Sequence, residues 1–390
     1  MTKPPTKKRA VVGLFAGIGG FELGFEKEGF HNALMCEIDP VARRVLSDRF
    51  PGVDIVPDVR DVSELPSETE VLCAGFPCQD LSSIGAKKGM AGSRSSLVRE
   101  VFRILERNRV EWVVFENVPF MLILNNAETI KTIGSELSRL GYKWAYRQID
   151  SCVFVPQKRE RVYVVASLNH DPRSVVFRSE SKSPPQVDFE HFSSPIGFYW
   201  TEGKYALGMK ADGIPTLKAG STIGIPSPPA ILFQDGTVAT PDIRDAERLQ
   251  GFPANWTRAA EEVAKPSFRW RLVGNAVTVD TIRWLAKGIT SPSEFKRSIV
   301  SKSIPTHATV WPKSAFNVAG VNESIEMSPW PASKRRPHIS SFLRYPAKPL
   351  SHKAVAGFLS RLRAGGLRRP AYFERALEAF ENKLEKSNES

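Results

Sequence analysis

The first 165 residues alternate between short apolar runs and amphipathic stretches, and this alternation constrains the fold more than any other feature. RAVVGLF (9–15) reads as a strand, Gly17, Gly19 and Gly20 as a turn, and GFELGFEKEGF (20–30) as a helix with an apolar face. HNALMCEID (31–39) reads as a second strand. PVARRVLSDRF (40–50) follows as a helix with proline in its first turn. EVLCAGF (70–76), EWVVFENV (111–118) and RVYVVASL (161–168) are further β-rich runs, with LVREVFRILERNR (97–109) and AETIKTIGSELSRLG (127–141) as helices between them. Strands that alternate with helices predict an α/β fold with a parallel, doubly wound, Rossmann-like sheet.

After about residue 170 the pattern stops. Residues 170–242 are rich in Pro, Ser and Gly and have no long helical pattern, which predicts a small loop-rich domain or a large insertion. Helical patterning returns in DIRDAERLQGF (242–252) and AVTVDTIRWLAKGI (276–289). From 291 to 390 a Pro/Ser-rich linker precedes two amphipathic helices, SHKAVAGFLSRLRAG (351–365) and AYFERALEAFENKLEK (371–386). No internal repeat is visible. No apolar run approaches the roughly 20 residues of a membrane span, and the basic start MTKPPTKKRA reads as a short disordered arm, not a signal peptide.

Charge and cysteine usage narrow the function classes. The net charge of +12 favours a polyanionic partner, nucleic acid above all. Residues 291–390 hold 17 Lys and Arg against 8 Asp and Glu, so +9 of the excess lies there. The four cysteines, Cys36, Cys73, Cys78 and Cys152, form no CxxC pair. Zinc-ligand spacing is therefore missing, no metal is expected, and a reducing intracellular compartment fits.

The glycine turn follows a strand and opens a helix, where glycines let the backbone pass close to a ligand. Glu37 ends the second strand, 20 residues after Gly17, where a dinucleotide-type fold puts a carboxylate on ribose hydroxyls. The spacing is not GxGxxG, so a nucleoside cofactor without phosphates fits better. Asp58, in IVPDVRDV, is placed to accept a hydrogen bond from a purine amine; helix capping is the alternative for Asp58 and the preferred reading for Asp61.

Three further features stand at the ends of candidate strands. Cys78 in AGFPCQ lies where a strand ends and a loop begins, whereas Cys73 sits inside the apolar run. Glu116 follows WVVF. Gln157, Arg159 and Arg161 lie in PQKRERVYVV, with the arginines at i and i+2, so on an extended segment both point to one face. Ion pairs and capping explain each feature singly. Together they suggest a thiolate that attacks an electron-poor ring, an acid that engages a ring nitrogen, and an arginine that holds a ring oxygen. No histidine stands near Cys78, which weakens a Cys–His protease reading.

In this order the segments resemble the DNA (cytosine-5)-methyltransferase family. LFAGIGGF resembles its first motif, GFPCQ the catalytic motif, ENV the acid motif, QKRER the arginine motif, RDAERLQGFP the motif supporting the recognition domain, and GNAV (274–277) the last motif; the resemblance covers about 10–290. It implies that Cys78 adds to cytosine carbon 6 while Glu116 engages N3, so that carbon 5 takes a methyl group from S-adenosylmethionine. Arg161 would contact the base oxygen, Arg159 the base and a nearby phosphate, and the base must leave the duplex. Pro77 would stiffen the catalytic loop. Cofactor contacts would come from Phe15, Gly17, Gly19, Glu37, Asp58, Phe76, Pro77, Asn275 and Val277. Gln157 and the Thr216–Leu217 pair would serve substrate binding.

The resemblance also divides the chain. It gives a catalytic first part (10–169), a target recognition domain (170–242), a return segment completing the catalytic domain (243–290) and a basic helical extension (291–390). It implies double-stranded DNA as substrate, a restriction–modification system or an orphan relative of that kind in a prokaryotic cytoplasm, a separately acting cognate endonuclease in the first case, and a monomer by default. Two departures stand out. The family's usual aspartate before LF is Gly13 here, and Asp80–Leu81 replace the common proline and phenylalanine. Three alternatives remain. One is the branch that methylates transfer RNA, whose CFT signature is absent here; the others are a silent DNA-binding module and a nicotinamide dehydrogenase, which leaves GFPCQ and QKRER unexplained. The basic extension reads either as a nonspecific DNA contact or as amphipathic helices packed on a core.

Overall fold

The computed structural model describes residues 9–76, 97–181, 194–202, 206–220, 226–295, 301–305, 307–331 and 337–389. The N-terminal arm, Pro77 and Cys78 lie outside them. The chain forms two compact units. Unit 1 comprises Met1–Asp150, Glu160–Lys182 and Val277–Ala332; unit 2 comprises Ser151–Arg159, Ser183–Ala276 and Ser333–Ser390.

Unit 1 is built on one ten-stranded sheet. In chain order it holds β1 (Ala10–Leu14), α1 (Gly20–Glu26), β2 (His31–Cys36), α2 (Pro40–Arg49), β3 (Asp54–Val56), β4 (Thr69–Ala74), α3 (Leu97–Arg107), β5 (Trp112–Asn117), α4 (Glu128–Arg139), β6 (Lys143–Asp150), β7 (Glu160–Ser167) and α5 (Arg173–Val176). Strands β3, β2, β1, β4 and β5 are adjacent and parallel, and the order reverses between β1 and β4. In an open α/β sheet that reversal makes a crevice at the carboxyl ends of the strands, where ligands bind. The helices form where the sequence places them. Asp39 caps α2, accepting from the Val41 N–H at 2.9 Å ahead of Pro40. Helix α3 buries Val98, Val101, Phe102 and Leu105 against the sheet.

The rest of the sheet is antiparallel and departs from the expected alternation. β7 pairs antiparallel with both β5 and β6. No crossover helix is needed for such a pair. β6, KWAYRQID, has no strand-like alternation because both its faces are covered and its polar side chains are buried. Arg147, fully buried, donates to the carbonyls of Ser328 at 2.9 Å, Val176 at 3.1 Å and Ser179 at 2.8 Å.

Unit 2 holds a second, five-stranded antiparallel sheet: β8 (Ile196–Phe198), β9 (Lys210–Ala211), β10 (Ala230–Leu232) and β11 (Val238–Thr240), with an edge strand from the C-terminal region. Helices α6 (Ile243–Leu249) and α7 (Phe268–Asn275) belong to the same unit. Unit 1 then resumes with α8 (Val279–Thr290), β12 (Ser301–Ser303), β13 (Ser314–Asn317) and β14 (Glu323–Ile325); β13 pairs with β6 and extends the large sheet. Unit 2 closes with β15 (Lys348–Pro349), α9 (His352–Gly365) and α10 (Ala371–Glu389). β15 pairs with β11.

These boundaries differ from the fourfold division expected from the sequence. Residues 243–276 join the second unit, and the stretch after 291 is split between the two. Three strands form in what reads as a Pro/Ser-rich linker. Their residues, SKS, SAFN and ESI, carry almost no pattern, and pairing with an existing sheet edge supplies the order.

Candidate active site

Of the residues expected around the cofactor, Phe15, Gly17, Gly19, Glu37, Asp58 and Phe76 lie just past the carboxyl ends of parallel strands of unit 1. β1 ends at Leu14, and Phe15 directly after it has a φ of 57°. Gly19 caps α1 with a φ of 83°, a conformation that side chains with a Cβ rarely adopt. The Ala16 N–H donates to the Cys36 carbonyl at 2.9 Å, which ties the turn to β2. Glu37, just past β2, accepts from the Gly17 N–H at 2.7 Å through Oε2 and from the Asp39 N–H at 2.8 Å through Oε1. Burial raises its pKa while the two backbone donors pull it back down. The carboxylate is thus held rigidly, and its oxygens can accept further hydrogen bonds from vicinal hydroxyls. Ile38 beside it is an apolar side chain and 67% exposed.

Asp58 follows β3. It caps a short helical turn, accepting from the Arg60 N–H at 2.9 Å, and pairs with the Arg60 guanidinium. The Arg60 hydrogen bonds hold its pKa down to about 2. The capping alternative is therefore realised, and a purine amine would share this carboxylate with Arg60.

Glu22 on α1 was not singled out in the sequence, where an acid in the first helical turn reads as a dipole partner. It is 1% exposed, and neither carboxylate oxygen has a hydrogen-bond partner. Burial lifts its pKa to about 8. A Cβ on Gly13 would stand 1.7 Å from Glu22 Oε1. The aspartate that the resemblance leads one to expect at position 13 is absent, and the Glu22 carboxyl group from the helix occupies the space a side chain there would enter.

At the end of β5, Glu116 meets Arg161 of β7: Nε lies 2.9 Å from Oε1, with the two side chains 16% and 11% exposed. Phe76 packs edge-on against Phe115, ring centroids 5.7 Å apart, and Asn117 donates to its carbonyl at 3.1 Å. A Cβ on Gly75 would lie 3.7 Å from Glu116 Oε2. The segment that leads into Pro77 and Cys78 is therefore anchored beside the acid. The thiols of Cys36, Cys73 and Cys152 are buried; burial pushes that of Cys36 up to about 12 and raises that of Cys73 well above the ordinary thiol value. Such thiols are poor nucleophiles. Among the described residues no group of three His, Cys, Asp or Glu side chains is placed to hold a metal ion.

The remaining expected residues belong to unit 2, Val277 of unit 1 excepted. Strand β7 begins at Glu160, so Arg159 lies outside it and the same-face argument for the two arginines does not apply. Arg159, 3% exposed, donates to the carbonyls of Leu217 at 3.1 Å, Gly274 at 3.3 Å and Ala276 at 2.8 Å. Gln157, fully buried, donates to the Leu249 carbonyl at 2.9 Å and to Gln250 Oε1 at 2.8 Å, and accepts from the Leu217 N–H at 2.9 Å. Gln250, which sequence reasoning passed over, donates in turn to the Ala276 carbonyl at 2.9 Å. This buried network holds the Thr216–Leu217 segment. Thr216 donates to the Lys158 carbonyl at 2.7 Å, Leu217 is buried, and Asn275, the last residue of α7, is exposed.

Residues 10–201 match the model of the C-5 cytosine-specific DNA methylase family. The chain is 44% identical over 370 residues to the type II methyltransferase M2.BsuMI of Bacillus subtilis (strain 168), spanning 90% of this chain and 92% of the relative. It is 29% identical over 301 residues to M.MspI of Moraxella sp, spanning 71% and 69%. Among solved structures it is similar to the S. pombe Dnmt2 methyltransferase, with a TM-score of 0.54, 15% identity and coverage of 73% of this chain and 100% of that one. A putative DNA modification methyltransferase encoded within a prophage (E. coli) gives a TM-score of 0.50 and 17% identity, with 73% and 99% covered. The strand-end residues, the glycine turn and the extent of the match to M2.BsuMI place this chain in the C-5 cytosine-specific DNA methylase family.

Proposed function

We propose that this enzyme methylates carbon 5 of cytosine in a short DNA sequence through a covalent adduct on Cys78. The observation that carries the reading is the Glu116–Arg161 pair at 2.9 Å. Cytosine presents O2 and N3 side by side on one edge, and this pair offers a cation and a carboxyl group side by side to match them. Members of the family use S-adenosylmethionine, which supplies an electrophilic sulfonium methyl group when bound. Glu37 suits its ribose, with two backbone donors fixing the carboxylate, and Ile38 offers an apolar face to the purine. Phe15, Gly17, Gly19 and Phe76 line the same strand ends; Asp58, Pro77, Asn275 and Val277 complete the proposed contacts.

The chain's own residues handle the base. The Cys78 thiolate adds to carbon 6, Glu116 holds N3, and Arg161 holds O2, so electron density moves to carbon 5. Once carbon 5 carries the methyl group it loses its proton, and expulsion of the thiolate restores the aromatic ring. The target base is flipped out of the duplex. Unit 2 reads the sequence around it, with phosphate contacts for position and loop side chains at base edges. Arg159 and Gln157 act from within unit 2 by holding the Thr216–Leu217 segment. A type II restriction–modification setting, a separate endonuclease, a cytoplasmic location and a monomer complete the proposal.

The test is incubation with tritiated S-adenosylmethionine and separate pools of duplex DNA and transfer RNA, alongside Cys78→Ser. Label in DNA as 5-methylcytosine, lost in the variant, is the expected result. Label in transfer RNA alone would contradict the substrate assignment.

A further inference from the structure

Residues 337–389 run through unit 2 and engage it at three places. Asp212, at a φ of 49°, accepts from the Ile339 N–H at 3.0 Å and pairs with the His338 ring at 2.7 Å. Helix α6 holds the next stretch. Its fully buried Asp245 accepts from the Arg344 and Tyr345 N–H groups at 3.0 and 3.1 Å, and Arg248 donates to the Phe342 carbonyl at 2.9 Å. Beyond β15, helices α9 and α10 cover the second sheet: Phe358 and Phe373 both pack on Phe198, with ring centroids 5.1 and 5.0 Å away. These helices are a wall of the unit's core, not an appendage. Arg363 of α9 is engaged with Glu374 and Glu378 of α10, and Arg369, between the two helices, with Glu374.

Arg361 of α9 does something else. Its Nε donates to the Glu202 carbonyl and its Nη2 to the Trp200 carbonyl, both at 2.9 Å. That fork fixes the turn after β8. The turn then holds two further loops. The Tyr199 hydroxyl donates to the Thr216 carbonyl, and the Lys218 ammonium lies 4.0 Å from the Tyr199 ring centroid while pairing with Glu202. Trp200 Nε1 donates to the Pro228 carbonyl at 3.1 Å, and the Thr201 and Ser227 hydroxyls bond at 2.6 Å. One guanidinium thus braces segments 199–202, 216–218 and 227–228.

We infer that Arg361 is a positioning residue for DNA sequence discrimination, and that residues 337–389 are an integral part of the DNA-reading unit. The inference rests on unit 2 being that unit. A brace and a phosphate clamp differ in what they change: a clamp adds affinity for any sequence and a step in the salt dependence, whereas a brace sets how well the right sequence is told from the wrong one.

The experiment compares full-length wild type, Arg361→Met, Arg361→Lys and Arg363→Met. Duplex DNA of random sequence is methylated, the product is sequenced to find the preferred site, and rates are measured on that site and its single-base variants. Arg361→Met should lower discrimination at least tenfold and raise the KM for DNA. Its kcat on the preferred site should stay within threefold and its cofactor Kd within twofold, and the salt slope of nonspecific binding should not change. Arg361→Lys should fall between it and wild type. Arg363→Met, which breaks only the ion pairs between α9 and α10, should discriminate like wild type. Unchanged discrimination in Arg361→Met, or a lowered salt slope with discrimination intact, would overturn the inference. A wild type that leaves no 5-methylcytosine in DNA would instead remove the reading beneath it.

Discussion

Glu116 and Arg161 pair across two neighbouring strands, and the proposed reaction uses both on one base edge. Glu116→Gln should lower kcat on DNA by about 10²–10⁴-fold, the usual range for a lost proton-handling group, and leave cofactor affinity within twofold. Single-turnover methylation and calorimetric titration of the cofactor check this. Glu22 yields a second prediction. Its folded pKa, about 8, stands above the ordinary 4.5, so the folded state holds a proton that the unfolded chain releases. Its contribution is fully present below about pH 4.5 and is lost as pH rises toward 8, at up to about 1.4 kcal/mol per pH unit in between. Glu22→Gln should flatten that part of the stability profile, measured by urea unfolding between pH 5 and pH 8. An unchanged slope would show that Glu22 is ionised in the folded protein. At this scale the sequence was readable where a polar residue ends an apolar run, as at Glu37 and Glu116. It was silent on Glu22, because a carboxyl group on a helix normally faces water, and it expected Arg159 at the base and a phosphate without signalling the carbonyls of Leu217, Gly274 and Ala276, which come from segments far away in the chain.

The elements divide in the same way. The helices and parallel strands of residues 10–141 were legible because each carries its own period, with an apolar stripe or an apolar run bounded by glycine and proline. β6 was not legible, since Arg147 and Gln148 interrupt it, and the burial that makes it a strand comes from β7 and β13. Arg147→Met should leave the carbonyls of Ser328, Val176 and Ser179 without their donor. A buried acceptor left unpaired costs about 1–3 kcal/mol, so the variant should lose at least about 2 kcal/mol. A lowered urea midpoint with an unchanged m-value would show it. Strands β12–β14 teach the same lesson more strongly, because none of their residues marks them as strands outside the sheet they join.

For the whole molecule, charge was the weaker guide and topology the stronger. The +9 of residues 291–390 suggested a nonspecific DNA contact, with helices packed on a core as the alternative; the helices there close the core of unit 2 and several arginines bind within it. Truncation before residue 337 should therefore disorder unit 2 rather than only weaken DNA binding. Hydrogen exchange should show amides of β8, β10 and β11 unprotected while β1, β4 and β5 keep their protection. Retained protection in the second sheet would mean that the C-terminal helices are dispensable to it. The central claim is the covalent route through Cys78. The most direct measurement uses duplex DNA containing 5-fluorocytosine together with S-adenosylmethionine. Fluorine at carbon 5 cannot leave as a proton does, so the methylated adduct cannot eliminate the thiolate and should persist. Denaturing mass analysis should show a protein–DNA conjugate carrying one added methyl group, absent in Cys78→Ser. Methylation of ordinary DNA without any trapped conjugate, or a conjugate that survives in Cys78→Ser, would contradict the mechanism.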